Sequence, residues 1–130
     1  MTTLQINEEL ASSFSIEVTE QMVEQYAEVS GDYNPIHLQK EAAVKVGFPD
    51  KIAHGMLGMG ISTRLLAPYL NENRMITSYQ TRFTAPLIVG ETLHISGTVF
   101  EKTNEHAVIK FTGATDKIVF EGTCIIRFVA

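Results

Sequence analysis

The run Gly55-Met56-Leu57-Gly58-Met59-Gly60-Ile61-Ser62-Thr63-Arg64-Leu65-Leu66-Ala67-Pro68-Tyr69-Leu70 decides the fold. Only Ser62, Thr63 and Arg64 interrupt its apolar or small side chains. A helix that is apolar around most of its circumference must be largely enclosed by other structure. The expectation is one enclosed helix over residues 55–70.

Downstream of that run the period changes. Residues 74–84, 91–102, 106–116 and 117–129 are rich in Thr, Val, Ile, Phe and Tyr and favour strands. Two-residue alternation is visible in Leu93, Ile95, Gly97 and Val99. Turn signals at Val89-Gly90-Glu91, Thr103-Asn104-Glu105 and Thr115-Asp116-Lys117 separate the runs. A helix supplied by the first half and an antiparallel sheet by the second make an α+β fold, the sheet wrapped around the helix.

Upstream, residues 14–18 alternate and read as a short strand. Thr19 suits an N-cap, and Met22, Val23, Tyr26, Ala27 and Val29 fall on one side of a helix that Gly31 can end. Residues 32–37 are then expected to be a loop, with Pro35 pushing Asn34 towards an extended conformation. Residues 40–46 read as another short helix, stopped by Gly47 and Pro49-Asp50.

At 130 residues the chain has the size of one domain, 1–130. Its net charge of -5 argues against a nucleic-acid partner, which would normally meet a basic face. Cys124 is the only cysteine, so no internal disulfide is expected, and Ile125 and Ile126 beside it suggest a buried strand thiol. The first ten residues are polar and acidic, without the basic start and apolar run of a secretory signal. No apolar stretch is long enough to span a bilayer. The expectation is a soluble, cytoplasmic protein with no membrane partner.

Asp32 and His37 stand five residues apart, with Asn34-Pro35 between them. A carboxylate and an imidazole aimed at one point can hold a water, one taking its proton while the other donates to a substrate. The plainer alternative is a turn in which Asp32 caps a backbone amide and His37 lies at the surface. Asp32, His37 and His54 are also a conceivable metal-ligand set, but their spacing matches none of the helix-borne motifs. Gly55 opens the apolar run, where free N–H groups and the positive end of the dipole could polarise a carbonyl oxygen. It could equally serve only close packing of helix on sheet. His54 reads as a structural hydrogen-bonding residue. Ser62 and Thr63 point roughly 100° apart on the helix, so at most one faces a given pocket, and each can bond a helix carbonyl instead. Met56 and Met59 would fill core gaps or line an apolar tunnel. Lys40, Lys45, Lys51, Arg64, Arg74 and Arg82 are candidates for phosphate contacts, with solvated surface as the default for each.

Taken together, Tyr26, Val29, Ser30-Gly31-Asp32, Asn34-Pro35-Ile36-His37 and Ala43 resemble the signature of the MaoC-like, (R)-specific enoyl-CoA hydratases at each defining position. Phe48-Pro49, His54-Gly55-Met56 and the segment from Phe83-Thr84-Ala85-Pro86 to Gly90-Glu91 are also similar to that family, and the likeness runs over residues 14–129. The resemblance implies a hot-dog fold, a homodimer with acyl chains near the subunit interface, and no metal or redox cofactor. It implies syn addition of water to a trans-2-enoyl thioester, giving the (R)-3-hydroxyacyl product. By matching position, Asp32 and His37 would activate the water and protonate the α-carbon. The Gly55 N–H would bind the thioester carbonyl, Asn34 would shape the loop, and Ser62 or Thr63 would be a supporting hydroxyl. Close alternatives are dehydration of a 3-hydroxyacyl group on acyl carrier protein, an acyl-CoA thioesterase, and a non-catalytic acyl-thioester-binding module.

Overall fold

The computed structural model describes residues 3–129. Met1 and Thr2, part of the polar N-terminal stretch considered above, lie outside them. Strand β1 (Phe14–Glu17) leads into helix α1 (Glu20–Ser30). Thr19 caps the helix by accepting a hydrogen bond from the Met22 N–H at 3.2 Å. Gly31 ends it in the left-handed region (φ 78°), its N–H bonded to the Ala27 carbonyl at 2.9 Å.

The stretch expected to be a loop contains a helical turn instead, α2 (Pro35–Leu38). Asn34 is extended (φ −53°, ψ 126°), as a residue before proline should be, and its side chain accepts from the Ile36 N–H at 3.2 Å. Proline tolerates the first helical position, where its missing N–H would have no partner anyway. Pro35 thus starts a helical turn, and His37 sits on that turn rather than on an open loop. Helix α3 (Lys40–Lys45) follows.

The enclosed helix is shorter than residues 55–70. Helix α4 (Gly55–Ser62) gives way to two 3-10 turns, Thr63–Leu65 and Ala67–Tyr69. Pro68 cannot continue an α-helix. Upstream of it, the Ser62 and Thr63 hydroxyls bond the Met59 and Gly60 carbonyls, each at 2.6 Å, which weakens the regular ladder. Enclosure is also one-sided: Gly58, Ile61, Ser62, Leu65, Leu66 and Tyr69 are buried, whereas Gly60, Thr63, Arg64, Ala67 and Pro68 are exposed. Met56, expected to fill a core gap or line an apolar tunnel, is 58% exposed.

Strands β2 (Arg74–Phe83), β3 (Thr92–Lys102), β4 (His106–Ala114) and β5 (Ile118–Phe128) complete a five-stranded antiparallel sheet in the order β1-β3-β4-β5-β2. Inward side chains, among them Leu93, Ile95 and Val99 of β3 and Ile109 and Phe111 of β4, pack against the helical segment. The approach is close at Gly97, where a β-carbon would lie 2.9 Å from Leu65 Cδ2 and 3.1 Å from the Lys110 carbonyl oxygen. This is the hot-dog arrangement, a helix held against a curved antiparallel sheet.

The polar N-terminal stretch also contributes to the core, for which its composition offered no signal. Leu4 and Leu10 are buried. The Asn7 and Leu10 N–H groups bond the Val99 and Gly97 carbonyls, both at 2.8 Å, covering the edge of β3. Among the described residues, no helix is long and apolar enough to cross a membrane.

Candidate active site

A series of short side-chain-to-backbone bonds shapes the segment that carries Asp32. Ser30 Oγ accepts from the Asp32 N–H (3.1 Å), and Asp32 Oδ1 accepts from the Asn34 N–H (3.1 Å). With the Asn34 cap, these bonds hold the chain from the end of α1 to the start of α2. Asp32 therefore does cap a backbone amide, as the plainer reading expected. His37, however, is not at the surface: it is 8% exposed.

The His37 Nδ1 lies 2.7 Å from the Ile52 carbonyl oxygen. A carbonyl can only accept, so Nδ1 carries the proton and the neutral ring presents a lone pair at Nε2. That nitrogen is 3.8 Å from Asp32 Oδ2, longer than a direct hydrogen bond. In the neutral ring both groups are acceptors. A water donating one O–H to each would satisfy them together and leave its own lone pairs free to attack. Asp32 keeps about half of its side chain exposed, so the pair sits at the boundary between core and solvent.

Behind His37 lies His54. The two rings stack with centroids 3.7 Å apart and planes inclined by 26°, and Tyr26 of α1 tilts against the other ring at 4.8 Å. His54 Nε2 donates to the Asp32 backbone carbonyl at 3.0 Å. Its Nδ1 is buried without a hydrogen-bond partner.

The three residues considered as a metal set do converge, with one candidate atom from each within 4.8 Å of the others. Their orientation suits stacking rather than chelation. Lone pairs of imidazoles lie in the ring planes, and two nearly parallel rings do not aim them at one point about 2.0–2.1 Å away, as zinc requires.

His54 is also the N-cap residue of α4, its carbonyl accepting from the Leu57 N–H at 3.1 Å. The N–H groups of Gly55 and Met56 thus belong to the first turn, where the helix supplies no acceptor and the dipole is positive. Gly55 opens on an apolar cavity of about 370 Å³, whose walls include Phe48, Phe83, Leu87, Val119 and Phe120. No Lys or Arg lines it. A β-carbon on Gly55 would sit 3.3 Å from the Phe83 ring, so glycine keeps this entrance open.

The remaining candidates are elsewhere. Ser62 is buried and bonded to the Tyr79 hydroxyl, while Thr63 is exposed; neither lines the cavity. Arg64 lies over the Phe14 ring at 4.7 Å, and Arg74 over Phe128 at 5.4 Å. Lys51 pairs with Glu20, and Lys40 and Lys45 are exposed. Arg82 lines a wider, polar hollow of about 680 Å³ across the sheet, lined by β2 to β5 and not by Asp32 or His37. Despite its size, that hollow lacks the helix N-terminus, whereas His54 and Gly55 line the smaller apolar cavity; Asp32 and His37 line neither. Sequence reasoning singled out neither Ile52, which acts through a backbone carbonyl, nor the cavity walls as walls.

Compared with known proteins, the chain matches a family model described as "MaoC like domain" over residues 2–120. It is 29% identical over 129 residues to an (R)-specific enoyl-CoA hydratase of Rhodospirillum rubrum, covering 96% of this chain and 90% of that one. To a mitochondrial 3-hydroxyacyl-[acyl-carrier-protein] dehydratase of Arabidopsis thaliana it is 28% identical over 92 residues, 69% of this chain and only 55% of that protein. Among solved structures, an R-hydratase of Pseudomonas aeruginosa in the unliganded form superposes with a TM-score of 0.85 at 26% identity, covering 97% of this chain and 83% of that one.

Proposed function

Because this chain belongs to the MaoC-like domain family, we propose that it is a hydro-lyase adding water syn across the double bond of a trans-2-enoyl-CoA to give the (R)-3-hydroxyacyl thioester. One observation carries the proposal. Two acceptors, Asp32 Oδ2 and His37 Nε2, face each other at 3.8 Å beside a helix N-terminus that opens on an apolar cavity.

In this reading the acyl chain occupies the cavity and the thioester carbonyl takes the Gly55 N–H. The water bridges Asp32 and His37. Its oxygen forms the new bond to the β-carbon and one of its protons passes to the pair. The pair returns a proton to the α-carbon on the same face, which accounts for syn addition. As the β-carbon is attacked, charge moves onto the carbonyl oxygen, where a fixed N–H donor is most effective. Asn34 shapes the turn that aims the carboxylate. The hydroxyls of Ser62 and Thr63 take no chemical step. The mechanism calls on no cofactor.

The test is loss of absorbance at the enoyl-thioester band with purified protein and crotonyl-CoA or longer enoyl-CoAs, with chiral analysis of the product. No turnover at any chain length, or full activity in Asp32→Asn, would sink the proposal. The likeness to the Arabidopsis dehydratase favours a second reading, the reverse reaction on a carrier-protein thioester. Comparing kcat/KM for the two carriers, in both directions, separates them.

We also propose a homodimer. Strand β2 is the last of the sheet, and the apolar side chains of Met56, Phe83 and Ile118 are about half exposed, with Phe83 on the cavity wall. A partner would cover them. A monomeric sedimentation coefficient at micromolar concentration would exclude it.

A further inference from the structure

One residue links the parts of the site, and it also lines the apolar cavity: His54. The His54 ring stacks on His37 of α2 and meets the ring of Tyr26 of α1 at a tilt of 59°. Its Nε2–H holds the backbone carbonyl of Asp32 at 3.0 Å. Its own backbone caps α4, and so sets where the next N–H, that of Gly55, points. At 3% exposure it has almost no contact with solvent.

From this geometry we infer that His54 is a positioning residue, fixing the water-handling pair of Asp32 and His37 relative to the Gly55 N–H. The inference rests on the roles proposed above for those three residues. The three groups sit on separate segments: Asp32 between α1 and α2, His37 on α2 and Gly55 at the start of α4. A single ring stacked on one group and bonded to another removes their relative freedom. A displacement of about 1 Å can cost roughly 10²-fold in rate, so such a clamp acts on catalysis through the groups it holds in place.

The ring also acts through its tautomer. A carbonyl accepts from Nε2, so the proton is there and Nδ1 is a buried lone pair without a partner. A ring with its proton on Nδ1 would lose the Asp32 bond. The titratable groups against His54 are Tyr26, Asp32 and His37.

The experiment uses the intact chain and two variants that each keep half of the clamp. His54→Phe keeps a flat ring against His37 and removes the donor; His54→Gln keeps a donor near the Nε2 position and removes the ring. Both are expected to lower kcat with crotonyl-CoA by up to about 10²-fold with KM little changed, and His54→Ala to lower it further. An unchanged kcat in folded His54→Phe and His54→Gln overturns the inference. So does a loss confined to KM. A second readout needs neither activity nor a folded variant: long-range ¹⁵N–¹H imidazole spectra of the native protein are expected to show His54 protonated at Nε2, and an Nδ1–H form overturns the clamp. Absence of turnover in the native protein would instead strike the proposed function, leaving the tautomer measurement to decide the clamp.

Discussion

Gly55 faces the ring of Phe83 so closely that a β-carbon would lie 3.3 Å from both Cε1 and Cζ. This contact makes it possible to separate two properties of the position, the space it leaves and the N–H it presents. Gly55→Ala tests the space, because the Phe83 ring must shift by a few tenths of an ångström. Gly55→Pro adds the loss of the N–H. Proline is tolerated at the first helical position, and His54, at φ −63° and ψ 135°, already has the backbone that precedes a proline. The expected result is a modest loss for Ala and a further loss of about 10²–10³ in kcat for Pro. Equal activities for the two variants would remove the N–H from the mechanism.

Asp32→Asn and His37→Ala should each lower kcat by about 10²–10⁴, the usual contribution of a positioned acid or base. Stability should respond unequally. Asp32 is half exposed, and Asn still offers an oxygen to the Asn34 N–H, so its melting temperature should stay near the native value. His37→Ala empties a buried site and orphans the Ile52 carbonyl, so it should unfold at lower temperature. Steady-state kinetics and a thermal melt check both halves.

Ala85 lines the cavity from the segment between β2 and β3 and is only partly buried. Ala85→Phe should therefore fill part of the cavity of about 370 Å³ without disturbing the core. Activity on crotonyl-CoA is expected to survive while activity on longer enoyl-CoAs falls. A uniform change across a chain-length series would show that the acyl chain lies elsewhere.

Gly122 pairs with Phe111 on one side and Thr81 on the other. A β-carbon there would come within 2.3 Å of both the Gln80 carbonyl oxygen and Phe111 Cζ. The ring could turn, but the strand carbonyl cannot. Gly122→Ala should destabilise the fold by roughly 1–3 kcal/mol, the range for overpacking, measured by urea denaturation. Gly60→Ala is the control, with open space around its β-carbon and a helical backbone that favours alanine.

Burial pushes the Cys124 thiol from an ordinary 9.0 up to about 12, offset in part by a hydrogen bond with the Ile109 backbone. Burial also raises the Tyr79 hydroxyl, with its Ser62 bond acting the other way. A raised value means that the folded chain holds the proton more tightly than the unfolded one. The stability this contributes is fully present below the unfolded value and is lost as pH rises towards the folded one. Melting temperature should thus decline from about pH 9 upwards, and less steeply in Cys124→Val. A thiol reagent at neutral pH should label Cys124 only on unfolding. Rapid labelling of the native protein would contradict its burial.

Much of this was legible in the residues themselves, because local rules decided it. Thr19 and Gly31 mark the ends of α1 through hydrogen bonds and a left-handed φ that neighbouring residues determine. The alternation of Leu93, Ile95, Gly97 and Val99 is the pleat of β3. Asp32, Asn34-Pro35 and His37 announced a turn carrying two titratable groups. One local signal supports two outcomes: Pro35 holds Asn34 extended, as expected of a loop, yet with Asn34 as cap the same ring starts a helical turn. Pro68 lies within the run expected to be one helix, and within that run the helix breaks into 3-10 turns.

What the chain alone could not reveal depends on groups distant in sequence or without side-chain identity. The proton on His37 Nδ1 is held by a backbone carbonyl fifteen residues away, and every residue has a carbonyl. The polar N-terminal stretch pairs with β3 some ninety positions later, through backbone bonds that any side chains would allow. The stacking of His54 on His37, and the cavity that Phe83, Leu87 and Phe120 close over Gly55, exist only once three helices meet the sheet. Sequence by itself determined which residue types could handle a water and where α1, α4 and the strands begin, to within a few residues. The tertiary structure alone decided their distances and protonated atoms, because those arise from packing between segments that no local pattern encodes.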